Sequence, residues 1–235
     1  MTEPDPIAAA RQLVDTSRLL GIDFVPVAVS SGGDDLGVAR EEKQNRLEAL
    51  RVRHDAECPH CTQATAHTKT VFGEGDPDAR LMFVGEAPGA EEDKTGRPFV
   101  GRSGQLLEKI IGAMGLRRQD VFIANVLKSR PPNNATPTSA EAAMCGPYLL
   151  EQIKIIEPEV IVTLGKPAAH LLLGLNEAMG KMRGNWHEYA GVPVMPTFHP
   201  AYLLRSYTPE NRGKVWSDMR QVMDRLSLTP VAEDQ

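Results

Sequence analysis

RLMFVGEAPG, at residues 80–89, joins a run of apolar residues to a turn that contains glycine, proline and a carboxylate. The apolar run at residues 80–85 predicts a short buried strand. The turn brings backbone N–H groups and the Glu86 side chain to the carboxyl end of that strand. Because open α/β sheets bind their ligands at this end of the strands, the segment predicts an α/β fold and the start of a site.

The rest of the chain repeats the alternation of strand and helix. Apolar runs predict three more strands, at residues 121–126, 160–164 and 192–196. Periodic apolar positions predict helices at residues 103–114, 139–156, 166–173 and 209–226. Thr138 and Glu141 have the spacing of a capping box, and Thr208 is the expected N-cap of the last helix. The pattern favours a three-layer α/β/α fold with a mainly parallel, four-stranded central sheet.

The front of the chain differs in character from the remainder. Residues 6–20 have apolar side chains at helical spacing, residues 26–37 have the composition of a flexible linker, and residues 41–53 predict a charged helix. The N-terminal segment is either a disordered tail or a docking peptide for a partner. We expect an acidic helix and linker at 1–40, a folded domain at 41–228 and a tail at 229–235.

Composition and charge exclude several classes of protein. A chain of 235 residues, 41% hydrophobic and 24% charged, suits one soluble domain with an appendage. No apolar stretch approaches the roughly 20 residues of a membrane span, and the N-terminus lacks a signal-peptide pattern, so we expect a cytoplasmic location. The net charge of −5 argues against a surface coated in basic charge. Residues 1–80 hold 9 Lys/Arg and 14 Asp/Glu, so the remainder can still form a local positive groove.

Two side chains near the first strand are candidates for ligand contact. Glu86 follows that strand directly, so we expect its carboxylate in the crevice, whereas residues 91–93 predict a solvated or helix-capping acidic run. Phe99 lies in the loop GRPFVGRSG (96–104), where it either packs in the core or forms a flat wall for a planar ligand. The N–H groups of the helix that follows are suited to a phosphate, and Arg97 and Arg102 add positive charge.

Two more candidates follow later strands. Asn125 ends the second strand, and its amide either reads the edge of a pyrimidine or binds the backbone of a turn. His199 lies in TFHPAYLLR (197–205), where it either donates to a developing oxyanion or is a structural residue of the loop. In the same segment, Leu203 or Leu204 either enters a base stack, with Arg205 on a phosphate, or belongs to the first turn of the final helical region.

The three cysteines cannot form a paired disulfide framework within one chain. Cys58 and Cys61 form a C-x₂-C pair, and Cys145 lies in the helix predicted after the second strand. With a fourth ligand, three thiols are able to hold zinc or an iron–sulfur cluster; the alternative is that they bind nothing.

Together these segments resemble the iron–sulfur, family 4 uracil-DNA glycosylases. The likeness covers residues 47–226 and includes C-x₂-C, TVFGEGDPDARLMFVGEAPG, GRPFVGRSGQLL, NVLK-x-RPPNN, CGPYLL and TFHPAYLLR, in that order. The resemblance implies hydrolysis of the N-glycosidic bond of deoxyuridine in DNA, with the base flipped into a pocket. The implied partner is uracil-containing DNA, single- or double-stranded, and we expect a monomer.

The resemblance also implies roles for individual residues. Glu86 would position or activate the attacking water, and His199 would donate to the uracil O2 side as negative charge grows there. Asn125 would bond the Watson–Crick edge and reject cytosine. Uracil-binding residues would be Gly85, Glu86, Ala87, Phe99, Asn125 and His199. DNA-binding residues would be Arg102, Lys128, Arg130, Leu203 and Arg205.

One departure from the family pattern concerns the metal. The family holds a 4Fe-4S cluster with four cysteines, and here Cys58, Cys61 and Cys145 match while Ser129 stands at the remaining position. Serine oxygen is a poorer iron ligand than thiolate. The cluster is therefore in doubt: it is weakened, completed by serine or by a histidine such as His60 or His67, replaced by another metal, or lost.

A second departure concerns a related branch that attaches covalently to uracil-containing DNA through a histidine in a basic loop insertion. SRPPNNATPT has neither the insertion nor a histidine. The sequence therefore predicts turnover without a stable adduct. Two alternatives remain: a glycosylase for another deaminated base, such as hypoxanthine, and an inactive DNA-binding module stapled by metal.

Overall fold

The four predicted strands form the parallel centre of a six-stranded mixed sheet. A computed structural model describes residues 34–64 and 66–229. The strands are β1 (Glu74–Gly75), β2 (Leu81–Gly85), β3 (Phe122–Asn125), β4 (Val160–Leu164), β5 (His187–Tyr189) and β6 (Val192–Thr197). Their order is β1-β3-β2-β4-β6-β5. The pairs β2–β3, β2–β4 and β4–β6 are parallel, whereas β1 and β5 add to the two edges in antiparallel orientation.

The two edge strands correct the prediction of a four-stranded sheet. β1 has only two residues and contains a glycine, so its sequence has no strand periodicity. β5 joins β6 through a two-residue turn in which Ala190 and Gly191 both have positive φ, of 49° and 83°. Such turns normally use Asn-Gly or Asp-Gly, and alanine at the first position gave no hairpin signal.

The longer helices lie close to their predicted positions, whereas four helices of four to six residues in the described ranges were not predicted. They are α1 (Asp34–Glu57), α2 (Pro59–Gln63), α3 (Ala90–Thr95), α4 (Arg102–Ala113), α5 (Ser139–Ile156), α6 (Lys166–Leu173), α7 (Met179–Met182), α8 (Pro200–Arg205) and α9 (Pro209–Leu226). α1 begins at Asp34, inside the predicted linker, while the predicted helix at 6–20 and the tail at 230–235 lie outside the described residues. Within the described ranges, none of the helices combines the length and apolarity that crossing a membrane requires.

The sheet is covered on both faces, as the three-layer prediction requires. Successive strand residues point to opposite faces. Met82 and Val84 pack in one buried cluster with residues of α1, α5 and α6, such as Leu50, Leu149 and Leu172. Leu81 and Phe83 pack in a second cluster with residues of α4 and α9, such as Leu107 and Met219. Both faces of β2 are therefore buried, which explains its continuous apolar run.

The predicted helix caps are confirmed in the structure. Thr138 and Glu141 form a reciprocal capping box at the start of α5. The Thr208 hydroxyl accepts a hydrogen bond from the Asn211 N–H at the start of α9. These caps satisfy backbone donors that have no partner within the helix.

Candidate active site and metal centre

A cavity of about 400 Å³ opens at the carboxyl ends of the parallel strands. Glu86 and Ala87 line it after β2, Asn125 lines it at the end of β3, and His199 lines it after β6. Its other walls include Phe99, Arg205, Pro131 and the segment Asn134, Ala135 and Thr136. The wall at residues 131–136 was not predicted, because nothing in SRPPNNATPT shows which surface that loop covers.

Asn125 presents a free acceptor to this cavity. Asn125 is 1% exposed, and its buried Oδ1 has no hydrogen-bond partner among the residues that the structure describes. Buried amide oxygens are normally satisfied, so an orphaned one that lines a cavity indicates a ligand with a matching donor. Gly85 lies beneath this amide, and a Cβ built on Gly85 would overlap both Asn125 Oδ1 and the Phe99 ring. Gly85 thus leaves room for the two residues and does not itself line the cavity.

Phe99 is held in an unusual backbone conformation beside Asn125. It has a φ of 50°, which costs energy for a residue with a Cβ. The Arg118 guanidinium donates to the carbonyls of Pro98 and Phe99. Gly104 in α4 lies so close that a Cβ there would overlap the Phe99 carbonyl. These contacts fix the ring, which is 6% exposed, against the cavity.

Glu92 ties the turn after β2 to the Phe99 loop. One carboxylate oxygen accepts from the N–H groups of Val100 and Gly101 at 2.9 and 2.8 Å, and the other accepts from Gly89 at 3.1 Å. Glu92 is 9% exposed. The prediction of a solvated or helix-capping run at residues 91–93 therefore holds for exposed Glu91 and for the cap that Glu92 forms with Gly89 N–H. It misses the bonds from Glu92 to the Phe99 loop and the burial of Asp93, which accepts from the N–H groups of Thr68 and Lys69.

His199 faces the cavity as a neutral donor. Burial lowers its pKa to about 4, and the positive charge of Arg205 acts in the same direction. Its Nδ1 accepts a hydrogen bond from the Ala201 N–H at 3.0 Å, so the proton of the neutral ring lies on Nε2. The ring stands 5.6 Å from the Phe99 ring, centroid to centroid. A donor and an aromatic face thus share one pocket.

Glu86 is a partly buried carboxylate at the mouth of the same pocket. Burial raises its pKa above the ordinary value, and the Thr136 hydroxyl and the Arg205 charge offset this only in part. Glu86 is held at the end of β2 because Leu127 N–H donates to its backbone carbonyl. The site therefore combines a carboxylate with raised proton affinity and a histidine with lowered proton affinity, a pairing typical of functional sites.

The predicted DNA-binding cations differ in their surroundings. Arg102 and Arg205 are exposed, and Arg205 lines the cavity. Arg130 donates to Asn134 Oδ1, which places it on the loop at the rim. Arg97 forms a two-bond ion pair with Glu74, which offsets its charge.

Lys128 and Leu203 correct the predicted DNA contacts. Lys128 is fully buried, and its Nζ donates to the Asn125 carbonyl and to Gln152 Oε1 at 2.9 and 2.6 Å. Burial lowers its pKa to about 8. Leu203 is 2% exposed and packs in the core through α8. Neither side chain is able to reach DNA, because the loop after β3 turns Lys128 inward and α8 turns Leu203 inward.

The three cysteines meet in a buried cluster with a histidine that was not among the predicted ligands. Cys58 and Cys61 flank the start of α2, and Cys145 approaches from α5. His54 from α1 completes the group, and all four potential ligand atoms lie within 4.8 Å of one another. His60 and His67, the predicted alternatives, are not members. The signal was present in HDAEC (54–58), since His54 precedes Cys58 by one helical turn.

This cluster is suited to a metal, but its donors do not match four cysteines around a four-iron cluster. Ser129 Oγ is buried next to the Cys61 thiol and, within residues 34–64 and 66–229, lacks a well-formed hydrogen bond. The fourth ligand position near the thiols belongs to the His54 imidazole, whose Nε2 lies 3.2 Å from Cys61 Sγ. The structure therefore supports a His/Cys₃ metal site in place of a Cys₄ site.

The cavity lies at the carboxyl ends of the parallel strands, where α/β enzymes have their active sites. It combines a flat aromatic wall, a buried amide oxygen, a neutral donor and a carboxylate, which is typical of such enzymes. The model of the Uracil DNA glycosylase superfamily matches residues 72–220. The chain therefore belongs to the uracil-DNA glycosylase superfamily and, within it, to the type-4 family, as the sequence predicted.

Several curated relatives are named type-4 uracil-DNA glycosylase. The protein from Thermotoga maritima is 51% identical over 70% of this chain and 86% of its own. That from Saccharolobus solfataricus is 42% identical over 75% of this chain and 85% of its own. That from Archaeoglobus fulgidus is 41% identical over 73% of this chain and 89% of its own.

Proposed function

We propose that this chain is a monofunctional uracil-DNA glycosylase of base excision repair, which hydrolyses the N-glycosidic bond of deoxyuridine in DNA. The observation that supports this most directly is the orphaned Asn125 amide beside the Phe99 ring, in a chain of this family. A base inside a duplex cannot reach such a pocket, so the deoxyuridine is flipped out of the stack.

Uracil fits the polarity of the pocket. Its N3–H is the donor that Asn125 Oδ1 lacks, and its O4 accepts from the other end of the same amide. Cytosine presents the opposite pattern at these two positions, so it would leave the amide mismatched. The Phe99 ring supplies a face on which the base stacks.

Departure of the base creates negative charge on uracil and positive charge on the sugar. His199 Nε2–H donates to the O2 side of uracil, where it stabilises the growing anion. Glu86, in its ionised form, orients a water for attack at the sugar carbon and stabilises the cationic sugar. These steps use side chains of the pocket and require no bond to the metal.

Exposed or partly exposed cations next to the pocket are suited to hold the DNA backbone. Arg205 at the cavity, Arg102 at the start of α4 and Arg130 at the rim are proposed to contact phosphates flanking the flipped nucleotide. A few such contacts need only a local positive groove, which is compatible with the net charge of −5. We propose action as a monomer on single- or double-stranded DNA.

Release of free uracil from a defined oligonucleotide tests the proposed function. We expect release from uracil-containing strands and an abasic site without strand cleavage. Oligonucleotides that carry other deaminated bases, such as hypoxanthine, test the alternative that the chain is a glycosylase for one of those bases. Binding to DNA without release of any base, by protein with Glu86, Phe99, Asn125 and His199 intact, would instead support a DNA-binding module.

The reaction is expected to turn over without a covalent protein–DNA product. The 131–136 wall of the pocket contains no histidine or cysteine that could remain attached to the sugar. Protein incubated with uracil-bearing single-stranded DNA should migrate as free protein on a denaturing gel, while each molecule releases more than one uracil. A heat-stable shifted band in stoichiometric amount would contradict this.

His199→Ala is expected to lower the single-turnover excision rate about 100- to 1,000-fold, the usual cost of removing one donor to a developing anion. The dissociation constant for DNA should change much less, because His199 contacts the base and not the backbone. His170→Ala is a matched control, since His170 lies outside the pocket and binds only the Glu177 carbonyl. An unchanged single-turnover rate for His199→Ala would eliminate the proposed donor.

The pH dependence of excision should follow Glu86 and not His199. Glu86 must be ionised, and its pKa is raised above 4.5, so the rate should fall as pH drops through that raised pKa. His199 stays neutral until pH approaches its pKa of about 4, so no transition is expected near 6.5. Single-turnover excision rates, measured from below the pKa of His199 to above pH 6.5, show the fall expected from Glu86 and test for a transition near 6.5. Glu86→Gln should lower the plateau and remove the acid limb; a limb near 6.5 that survives in Glu86→Gln would point to His199.

A further inference from the structure

The His54, Cys58, Cys61 and Cys145 group has the spacing of ligands around one ion. The sulfur of Cys145 lies 3.9 Å from that of Cys58 and 3.7 Å from that of Cys61. In a tetrahedral zinc site, Zn–S bonds of about 2.3 Å place the sulfurs about 3.8 Å apart. In a four-iron cluster each ligand binds a different iron across a core of bridging sulfides, which holds the ligand sulfurs farther apart.

His54 is prepared as a metal ligand by its surroundings. The ring is fully buried, and its Nδ1–H donates to Asp55 Oδ1 at 2.8 Å. Metal-binding histidines characteristically direct their second ring nitrogen to a carboxylate, which fixes the tautomer with a free lone pair on the other nitrogen. That other nitrogen, Nε2, is the one directed at the thiols, 3.2 Å from Cys61 Sγ.

The backbone brings the three N-terminal ligands to one side. Cys58 N–H donates to the His54 carbonyl, and Thr62 N–H donates to the Cys58 carbonyl, while Cys58 itself has an extended backbone with a ψ of 113°. This short bend between α1 and α2 brings His54, Cys58 and Cys61, spaced by four and three residues, into one group. Cys145 closes the set from α5.

Charge and hydrogen bonding around the group also suit a single divalent ion. Lys128 N–H donates to Cys145 Sγ at 3.2 Å, a contact that stabilises a thiolate. Three thiolates and a divalent ion have a net charge of about −1, given a neutral histidine. The fully buried Lys128 side chain lies on the same segment, with its Nζ held by the Asn125 carbonyl and Gln152 Oε1.

From this geometry we infer that the chain holds one zinc ion in a Cys₃His site formed by His54, Cys58, Cys61 and Cys145, in place of the family's iron–sulfur cluster. Ser129, which occupies the position of the missing cysteine, lies next to Cys61 with its Oγ buried. The fourth ligand is His54 and not Ser129, because imidazole nitrogen is a usual zinc ligand and the His54 Nε2 is directed at the thiols. The inference does not depend on the proposed glycosylase activity, since it concerns only the metal and its donors.

Elemental analysis of the full chain, produced in cells supplied with both iron and zinc, is the first test. We expect one zinc per chain, no acid-labile sulfide and a colourless preparation. About four irons with labile sulfide and absorbance near 400 nm would overturn the inference, and so would a folded chain that binds neither metal.

Three variants then decide the ligand set. His54→Ala should weaken zinc binding at least about 100-fold in competition with a chelator, more than the loss of a supporting residue around a metal. Ser129→Ala should retain zinc with unchanged affinity, and His54→Cys should restore the affinity lost in His54→Ala. Loss of metal in Ser129→Ala with retention in His54→Ala would overturn the assignment.

Cobalt substitution of the unaltered chain keeps the test decisive if a variant fails to fold. Tetrahedral Co²⁺ bound by three thiolates and one imidazole has intense visible bands. It also has sulfur-to-cobalt charge-transfer bands whose intensity rises with the number of bound thiolates. Weak bands, typical of six-coordinate cobalt, or charge-transfer intensity for fewer than three thiolates, would contradict the proposed site.

Discussion

Replacing Asn125 with alanine is expected to lower the single-turnover rate of uracil excision by about 100- to 1,000-fold and to reduce the preference for uracil over cytosine. The amide is buried at the end of β3, and its Oδ1 has no partner within the described part of the protein. In the proposed complex, removal of the amide leaves the N3–H and O4 of the bound base without partners. Losing these two hydrogen bonds weakens the binding of uracil and also removes the contacts that reject cytosine.

Excision from matched oligonucleotides that contain uracil or cytosine measures both effects. Asn185→Ala is a suitable control, because Asn185 is exposed, lies outside the pocket and, in the described part of the chain, its side chain binds the Lys181 carbonyl alone. The control should behave as the unaltered protein. If Asn125→Ala lost rate equally on every substrate and also lost its circular dichroism spectrum, misfolding would explain the result and the base-reading role would have no support.

Glu92→Ala is expected to lower the free energy of unfolding by about 2–4 kcal/mol and to reduce excision strongly. The substitution leaves the N–H groups of Gly89, Val100 and Gly101 without their acceptor, at about 1–3 kcal/mol for each that water does not reach. It also separates the turn after β2 from the loop that holds Phe99. The stacking wall and Glu86 would then lose their fixed relation.

Urea unfolding and single-turnover excision measure the two effects of the Glu92 change. Glu91→Ala is the matched control, since Glu91 is exposed and pairs only with Lys94 at the surface, so a change within about 0.5 kcal/mol is expected. Glu92→Gln retains one acceptor oxygen and should fall between the two. Equal stability of Glu91→Ala and Glu92→Ala would show that the three hydrogen bonds do not stabilise the loops.

The positions of the central strands and of the site were predictable, because both follow from periodicity. Buried parallel strands have continuous apolar runs, and residues directly after them meet at one edge of the sheet. Glu86, Asn125 and His199 were therefore expected in one crevice, and all three line the same cavity. Their chemical roles remain proposals, since lining a cavity does not by itself establish a reaction.

Other features could not be predicted, because they depend on partners distant in sequence. Lys128 has the charge of a phosphate contact, yet the Asn125 carbonyl and Gln152 draw it into the core. Glu92 belongs to a run of acidic residues, and only the folded loops show that it joins two of them. His54 lies four residues before Cys58, but only the approach of Cys145 from α5 in the folded chain shows that His54 belongs to the metal group.

The edges of the sheet bear on how this protein behaves at high concentration. β1 and β5 have two and three residues, so within the described residues each edge offers few free backbone groups to a neighbouring molecule. Long, flat edges recruit further strands and nucleate fibrils, and very short edge strands are one way in which natural proteins prevent this. The two small strands that periodicity does not reveal thus act as terminators of the sheet, and protect the chain against edge-to-edge aggregation.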